Sequence, residues 1–400
     1  MLPGPVRMPA RVPMTDSISK DIDLLDGELI ALRRDIHRHP ELGFSEVRTS
    51  AIAAERLREL GLSVRTGVAE TGILADLEGE RPGGTILLRA DMDALPVEER
   101  SGRDYASVIP GVMHACGHDA HVSALLGAAK LLAARRGRLA GRVRFLFQPA
   151  EELAGGAVKM IEGGALEGVD KVIGAHVFSA VPFGVVATRS GPFFAGIDAF
   201  ELAIIGRAGH GGMPHMSVDP IVAAAHVVTA LQSIVSRETR PGDQLVVSVS
   251  AISGGTAPNV VVERVTLRGT ARWYSQSNRE HALERIASIA SGVCSAMRAK
   301  SELKIITSAP VTVNADGPVE LITSAVNATG RASVMDPGPL TVSEDFSEFS
   351  RIVPGCLFAV GAGGPDAAPH HHHAFDIDER SIGLTAEIFV RAALDALRPE

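Results

Sequence analysis

The chain has 400 residues, 46% hydrophobic and 22% charged, which describes a globular protein long enough for two cores rather than a disordered one. A formal net charge of −8 without a clustered basic surface excludes a nucleic-acid partner, because phosphate binding needs concentrated positive charge. Three cysteines (Cys116, Cys294, Cys356) without repeated spacing give no disulfide framework and point to a reducing cytoplasm, and no apolar run reads as a span, so no membrane partner is expected.

The opening "MLPGPVRMPARVPMTDS" carries prolines where a signal peptide needs an apolar helix, so residues 1–16 read as a disordered leader. A helix is predicted from near Ser17 to Pro40, and a second over 46–60, ended by Gly61. Apolar strands follow at "GILADL" (72–77) and "TILLRA" (85–90). "MHACGHDAH" (113–121) reads as a loop ahead of an alanine- and leucine-rich helix over about 120–135. "RVRFLFQ" (142–148) alternates like a strand and stops at Pro149, and "KVIGAHV" (171–177) is another buried strand. Strands alternating with helices predict an α/β architecture around a mostly parallel sheet flanked by helices.

Near residue 195 the pattern changes. "DAFELAIIG" alternates as a half-buried strand, a helix over about 218–237 follows, and "QLVVSVSAI" and "RVTLRGTARW" precede a helix around 278–299. This reads as an α+β segment with one open sheet face. From about 310 the α/β style resumes, with a strand at "CLFAVG" and a final helix over 381–397. The predicted organisation is a discontinuous catalytic domain, residues 17–194 and 310–400, interrupted by a lid or dimerisation domain over 195–309.

Four segments place metal-capable residues at or beyond strand ends: "RADMDALP", "QPAEE", "GAHV" and "PHHHH". In an open α/β sheet, ligands gather in the crevice outside those ends. Glu151 and Glu152 are adjacent, so one carboxylate can bind a metal while the other faces a water, the division that metal-assisted hydrolysis requires. Taken alone, the pair also suits the positive end of a following helix. "ACGHD" has no second Cys/His pair to close a structural zinc site, and its acidic surroundings disfavour a reactive thiolate at Cys116. An inert buried cysteine and a satisfied strand-end His176 remain open at this level. In the 195–309 segment, His210 sits in "GRAGHGGMPH", where glycines allow close backbone approach to a ligand. Asn259 lies in "GGTAPNVV" and Arg272 in a strand, where the two could clamp a substrate carboxylate.

The ordered set "RRDIHRHPELGFSE", "RADMDALP", "MHACGHDAH", "QPAEE", "GAHV", "GHGGMPH", "GGTAPNVV", "SEDF" and "HHHAFDIDE" resembles the M20 metallopeptidases, over about residues 20–397. The resemblance is to their amidohydrolase branch: hippurate hydrolases, N-acyl-L-amino-acid amidohydrolases and auxin-conjugate hydrolases. It implies two divalent ions per subunit, with Cys116 as bridging ligand and His118, Glu152, His176 and His371 completing the set. His371 is favoured within 370–373 because the family's histidine stands four residues before the aromatic of "FDIDE". Glu151 is then the general base, His210 serves a neighbouring subunit's site in a homodimer, and Asn259 with Arg272 holds the substrate carboxylate. The peptidases' "HxD" motif reads Asp91-Met92-Asp93 here, which favours amidohydrolases over aminopeptidases. Imidazole and carboxylate suit manganese or zinc, and a thiolate leans towards zinc or cobalt. The expected substrate is a small N-acyl amino acid. The alternatives are deacetylation of an acetylated diamino acid or thiol conjugate, a dipeptidase, or a binding protein that has lost catalysis.

Overall fold

The computed structural model describes residues 17–398; the predicted leader over 1–16 lies outside them. Helix α1 (Ser17–Arg38) buries Ile22, Leu29, Leu32 and Ile36 along one stripe and ends just before Pro40. After α2 (Val47–Glu59) come β1 (Ser63–Val68), β2 (Gly72–Glu78) and β3 (Arg81–Asp91). Helix α3 (His118–Ala133) is buried on almost every side, because it is wedged between the sheet and three other helices, which explains its alanine and leucine content. Then follow β4 (Ala140–Gln148), α4 (Gly156–Glu162), β5 (Lys171–Pro182), β6 (Val185–Ala187) and β7 (Gly191–Phe194).

Residues 196–309 form their own layer pair. Strand β8 (Gly196–Ile205) leads to β9 (Gly209–His210), α5 (Pro220–Ser233), β10 (Leu245–Ser253), β11 (Val260–Val261), β12 (Arg264–Trp273), α6 (Gln276–Ala296) and β13 (Lys300–Ala309). Asp219 caps α5 by accepting from the Ile221 and Val222 amides, with Pro220 at the first helical position, and Ser275 caps α6 through Asn278 N–H. The antiparallel order β10-β12-β8-β13 buries Phe200, Leu202, Leu267 and Trp273 against Val227, Leu231, Ile286 and Ala290 of the two helices. Strand β13 was not foreseen. Most of its positions are at least partly exposed, so its sequence carries no apolar alternation to find.

The chain returns through β14 (Thr312–Asn314), α7 (Asp316–Thr329), β15 (Ser333–Met335), α8 (Ser347–Ser350), β16 (Gly355–Gly363) and α9 (Arg380–Ala396). The main sheet has the order β1-β2-β4-β3-β5-β16-β6-β15. Its centre, β4-β3-β5-β16, is parallel, while β1 and β2 form an antiparallel margin. Neighbouring residues of one strand enter opposite cores, as the period of two requires. Leu88, Phe145, Ile173 and Phe358 pack towards α1, α3 and α9, whereas Leu87, Leu146, Val172 and Leu357 meet Phe346, Phe349 and Met160.

One expectation needs correcting. The helical stretch Pro220–Glu238 has the length and mean hydropathy of a membrane span, although none was read from the sequence. Ala223, Ala224, Val227, Leu231 and Ile234 cover the 196–309 sheet, and Ile221, Val222 and Val235 remain exposed.

Candidate metal centre

The C-terminal ends of β3 and β4 and the middle of β5, which continues to Pro182 rather than ending at 177, meet the start of α3 and the segment after β16. Gly117 makes that meeting possible. Its φ is 88°, and a Cβ there would lie 2.3 Å from Val177 Cγ2. The tight turn starts α3 at His118, earlier than the sequence suggested, so His118 is a helical residue rather than a loop residue. The ligand atoms of Cys116, His118 and His176 lie within 4.8 Å of one another, and those of Cys116, Glu152 and His371 form a second such group. Two triads that share the Cys116 sulfur would offer thiol, imidazole and carboxylate donors to two ions.

Each imidazole is oriented by what its other nitrogen does. His176 Nδ1 faces the Val177 carbonyl at 2.7 Å, which turns Nε2 towards Cys116 Sγ, 3.5 Å away. His118 Nδ1 lies 3.3 Å from Asp93 Oδ1 as an ion-pair neighbour, but neither of its buried ring nitrogens has a hydrogen-bond partner. His121 stands beside them but is fully engaged: Val177 N–H donates to Nε2 at 2.8 Å and Nδ1 meets Asp91 Oδ1 at 2.5 Å. It therefore orients rather than ligates. His371 Nε2 is 3.2 Å from Glu152 Oε1 but out of line for a hydrogen bond, so that buried oxygen also lacks a partner. Orphaned His118 Nε2 and Glu152 Oε1 are groups that a divalent cation satisfies, and the donor set of thiol, imidazole and carboxylate fits one.

Glu151 and Glu152 lie in a turn between β4 and α4, flanked by left-handed Ala150 and Ala154. Asp93 pins that turn by accepting from the Glu151 and Glu152 amides at 3.0 and 3.1 Å. Both carboxylates reach His118, with an oxygen of each within 4.8 Å of one of its nitrogens and of each other. Beyond that shared group Glu152 also groups with Cys116 and His371, and Glu151 with Glu344 and Asp345, its Oε2 4.0 Å from His118 Nε2. Behind Glu151, the buried Arg89 donates to Gln148, Asp91 and both oxygens of Glu344 at 2.7–3.0 Å.

Burial pushes Glu151 well above the usual carboxylate range, with Glu344, Glu152 and Asp345 adding to it. Burial likewise raises the Cys116 thiol, reinforced by Glu152 and Glu151. Burial would depress His118, but Asp91 and Asp93 outweigh it and hold the imidazole at about 10. Divalent charge among these groups reverses the directions for the ligands, favouring thiolate, carboxylate and neutral imidazole.

Above the cluster opens a cavity of about 490 Å³, with Phe178, Phe194, Ile197 and Val342 as apolar wall and Arg272 across it. Arg272 Nη1 donates to Thr341 O at 2.8 Å and Ser343 Oγ at 3.1 Å. Among the described residues no carboxylate pairs with it. His210 and Asn259 do not line this cavity. They are exposed and lie side by side on the 196–309 segment, where Val260 pairs with His210 and Gly211 N–H donates to Asn259 O at 2.8 Å. The glycine there serves that close backbone approach, since a Cβ on Gly211 would sit 3.1 Å from Asn259 O. Asn259 is thus not beside Arg272 within one chain. Sequence reasoning assigned no role to Arg89, Asp93, His121, Glu344, Asp345 or His370. A lone arginine in an apolar strand and the acidic pair of "SEDF" were the available signals.

The fold and this cluster define a metal-dependent hydrolase of amide or peptide bonds. Residues 87–395 match the Peptidase family M20/M25/M40, and the chain belongs to that family. It is 39% identical over 362 residues to N-acetyl-L-cysteine deacetylase of Bacillus subtilis, spanning 90% of this chain and 86% of the relative. It is 38% identical over 380 residues to thermostable carboxypeptidase 2 of Saccharolobus solfataricus, spanning 93% and 96%. Among solved structures, the YXEP protein of Bacillus subtilis, described as a dinuclear metal binding peptidase of the M20 family, superposes with a TM-score of 0.80. That match has 32% identity and covers 94% of this chain and 99% of the other.

Proposed function

We propose that the chain hydrolyses the amide bond of N-acyl-L-amino acids, releasing a carboxylic acid and the free amino acid. The observation that carries the substrate class is Arg272, a partly buried cation on the cavity wall that pairs with no carboxylate among the described residues. Burial lowers its hold on the proton, and a substrate α-carboxylate supplies the missing partner. The similar deacetylase and carboxypeptidase are both named for substrates that carry a free carboxylate next to the scissile amide.

In this reading Cys116, His118, Glu152, His176 and His371 hold two divalent ions, of which zinc, manganese and cobalt are the candidates. When bound, the ions supply Lewis acidity to the amide carbonyl and acidify the attacking water. Glu151, which lies beside His118 and Glu152 but does not group with Cys116 or His371, takes the water's proton and delivers it to the leaving nitrogen. Phe178, Phe194 and Ile197 bound the acyl side and exclude water.

His210 and Asn259 enter through a second copy, His210 as donor to the carbonyl oxygen as charge develops and Asn259 as the carboxylate's further partner. Support comes from the outer surface of the 196–309 segment. Exposed Ile221, Val222 and Val235 of the α5 stretch lie in the same layer pair as β10, an edge strand with Ile252 exposed.

The test is product release over a panel of N-acetyl, N-benzoyl and longer N-acyl amino acids, N-acetyl-cysteine included. Metal-stripped protein is reloaded separately with zinc, manganese and cobalt. Cleavage of N-acyl amino acids but not of their α-carboxamides is expected. Equal cleavage of both series overturns the carboxylate assignment, and release from neither overturns the substrate class.

A further inference from the structure

His370 touches the metal cluster without belonging to either triad. Its ring packs among Phe375, Phe178 and His176, with centroids 4.9, 5.3 and 5.4 Å away. Ser179 N–H donates to its Nε2 at 3.2 Å. That nitrogen is therefore the acceptor, and the ring proton sits on Nδ1. Nδ1 faces Cys116 Sγ at 3.6 Å, within the range of an N–H···S bond. His371, with φ of 64°, reverses the chain locally and presents its own Nε2 to Glu152 instead. Adjacent histidines thus reach the same centre in opposite capacities, one with a lone pair and one with a proton.

We propose that His370 is a positioning residue that donates an N–H hydrogen bond to the Cys116 sulfur and fixes the thiolate between the two ions. The inference rests on the reading of Cys116 as a ligand. A thiolate bonded to two cations keeps a lone pair, and an N–H aimed at it orients the sulfur and draws density from it. Partners of this kind typically change metal affinity by about 10- to 100-fold. The backbone of Cys116 also contacts the His370 ring, so the competing acceptor belongs to the same residue.

The experiment uses the full chain loaded with cobalt(II), in wild type, His370→Leu, His370→Asn and His370→Gln, with bound cobalt measured in each. The readout is the thiolate-to-cobalt charge-transfer absorption, with chelator competition as the affinity measure. His370→Leu should move the band to longer wavelength, because an unbonded thiolate gives up its electron more easily, and should weaken cobalt binding about tenfold. His370→Asn, whose amide N–H takes the Nδ1 position, should stay near wild type. His370→Gln, whose amide reaches the Nε2 position, should behave like His370→Leu and replaces it if the leucine variant does not load. An unmoved band at full cobalt loading in the leucine and glutamine variants overturns the proposal and assigns the proton to the backbone carbonyl. A wild-type enzyme with no such band at full loading removes Cys116 from the ligand set, and this inference falls with it.

Discussion

Arg272→Met keeps the length of the side chain and removes its charge and donors. In the structure Nη1 is committed to Thr341 O and Ser343 Oγ, which leaves the rest of the guanidinium for the cavity. Both partners are loop groups that water can serve once the arginine is gone, so the stability cost should stay near 1 kcal/mol. The cost to turnover is larger. Losing one member of a hydrogen-bonded charge pair in a partly desolvated site costs about 2–4 kcal/mol, or about 30- to 900-fold in kcat/KM. The assay compares kcat/KM for an N-acyl amino acid and its α-carboxamide in wild type and variant, at matched metal content. The wild type should prefer the carboxylate by roughly that factor, and Arg272→Met should abolish the preference while the carboxamide rate stays nearly unchanged. A variant that keeps the full preference would refute the reasoning, and the carboxylate contact would then have to come from elsewhere.

Glu151→Gln should retain both ions by elemental analysis while kcat falls by at least about 10²-fold, whereas Glu152→Gln should lose metal; the reverse pattern would exchange their roles. Cys116 should resist alkylation in the loaded enzyme and react quickly after chelation, and equal rates would show an inert buried thiol. His210→Ala should bind metal normally and lose about 10²- to 10³-fold in rate. Mixed with Glu151→Gln under conditions that exchange subunits, it should regain activity in dimers carrying one complete site. Absence of recovery despite exchange would place His210's action within its own chain, or nowhere.

The candidate ligands were legible because they fall in short segments dense with ligating side chains. His176, however, lies within β5, which runs on to Pro182 rather than ending at 177, and Cys116 and His118 stand at the opening of α3 rather than close a strand. What tells neighbouring histidines apart was not legible. His121 is withdrawn from ligation by Val177 N–H, and His370 differs from His371 because Ser179 N–H occupies its Nε2. These are backbone donors from β5, more than fifty residues from either histidine, and no local pattern encodes them. Arg89 is invisible for the same reason, since its Glu344 partner is 255 positions away. The 196–309 sheet was legible where one face is buried, as in β8 and β12, and was missed at β13, whose open exposure leaves no period to read.

The place of β16 bears on how the chain comes together during synthesis. This strand lies inside the sheet, between β5 and β6, yet it is made only after the whole of residues 196–309. Strands β8, β10, β12 and β13 pair only with one another in the four-stranded sheet, so that segment can complete itself while β5 still waits for its parallel neighbour. Until β16 arrives, β5 presents a hydrophobic interior edge, the kind of surface on which nascent chains aggregate. His371 follows β16 by only a few residues, so the same event that seals the edge delivers the last imidazole of the centre. Ribosome-bound chains arrested just before residue 355 should therefore have a folded 196–309 segment and no capacity to retain two ions.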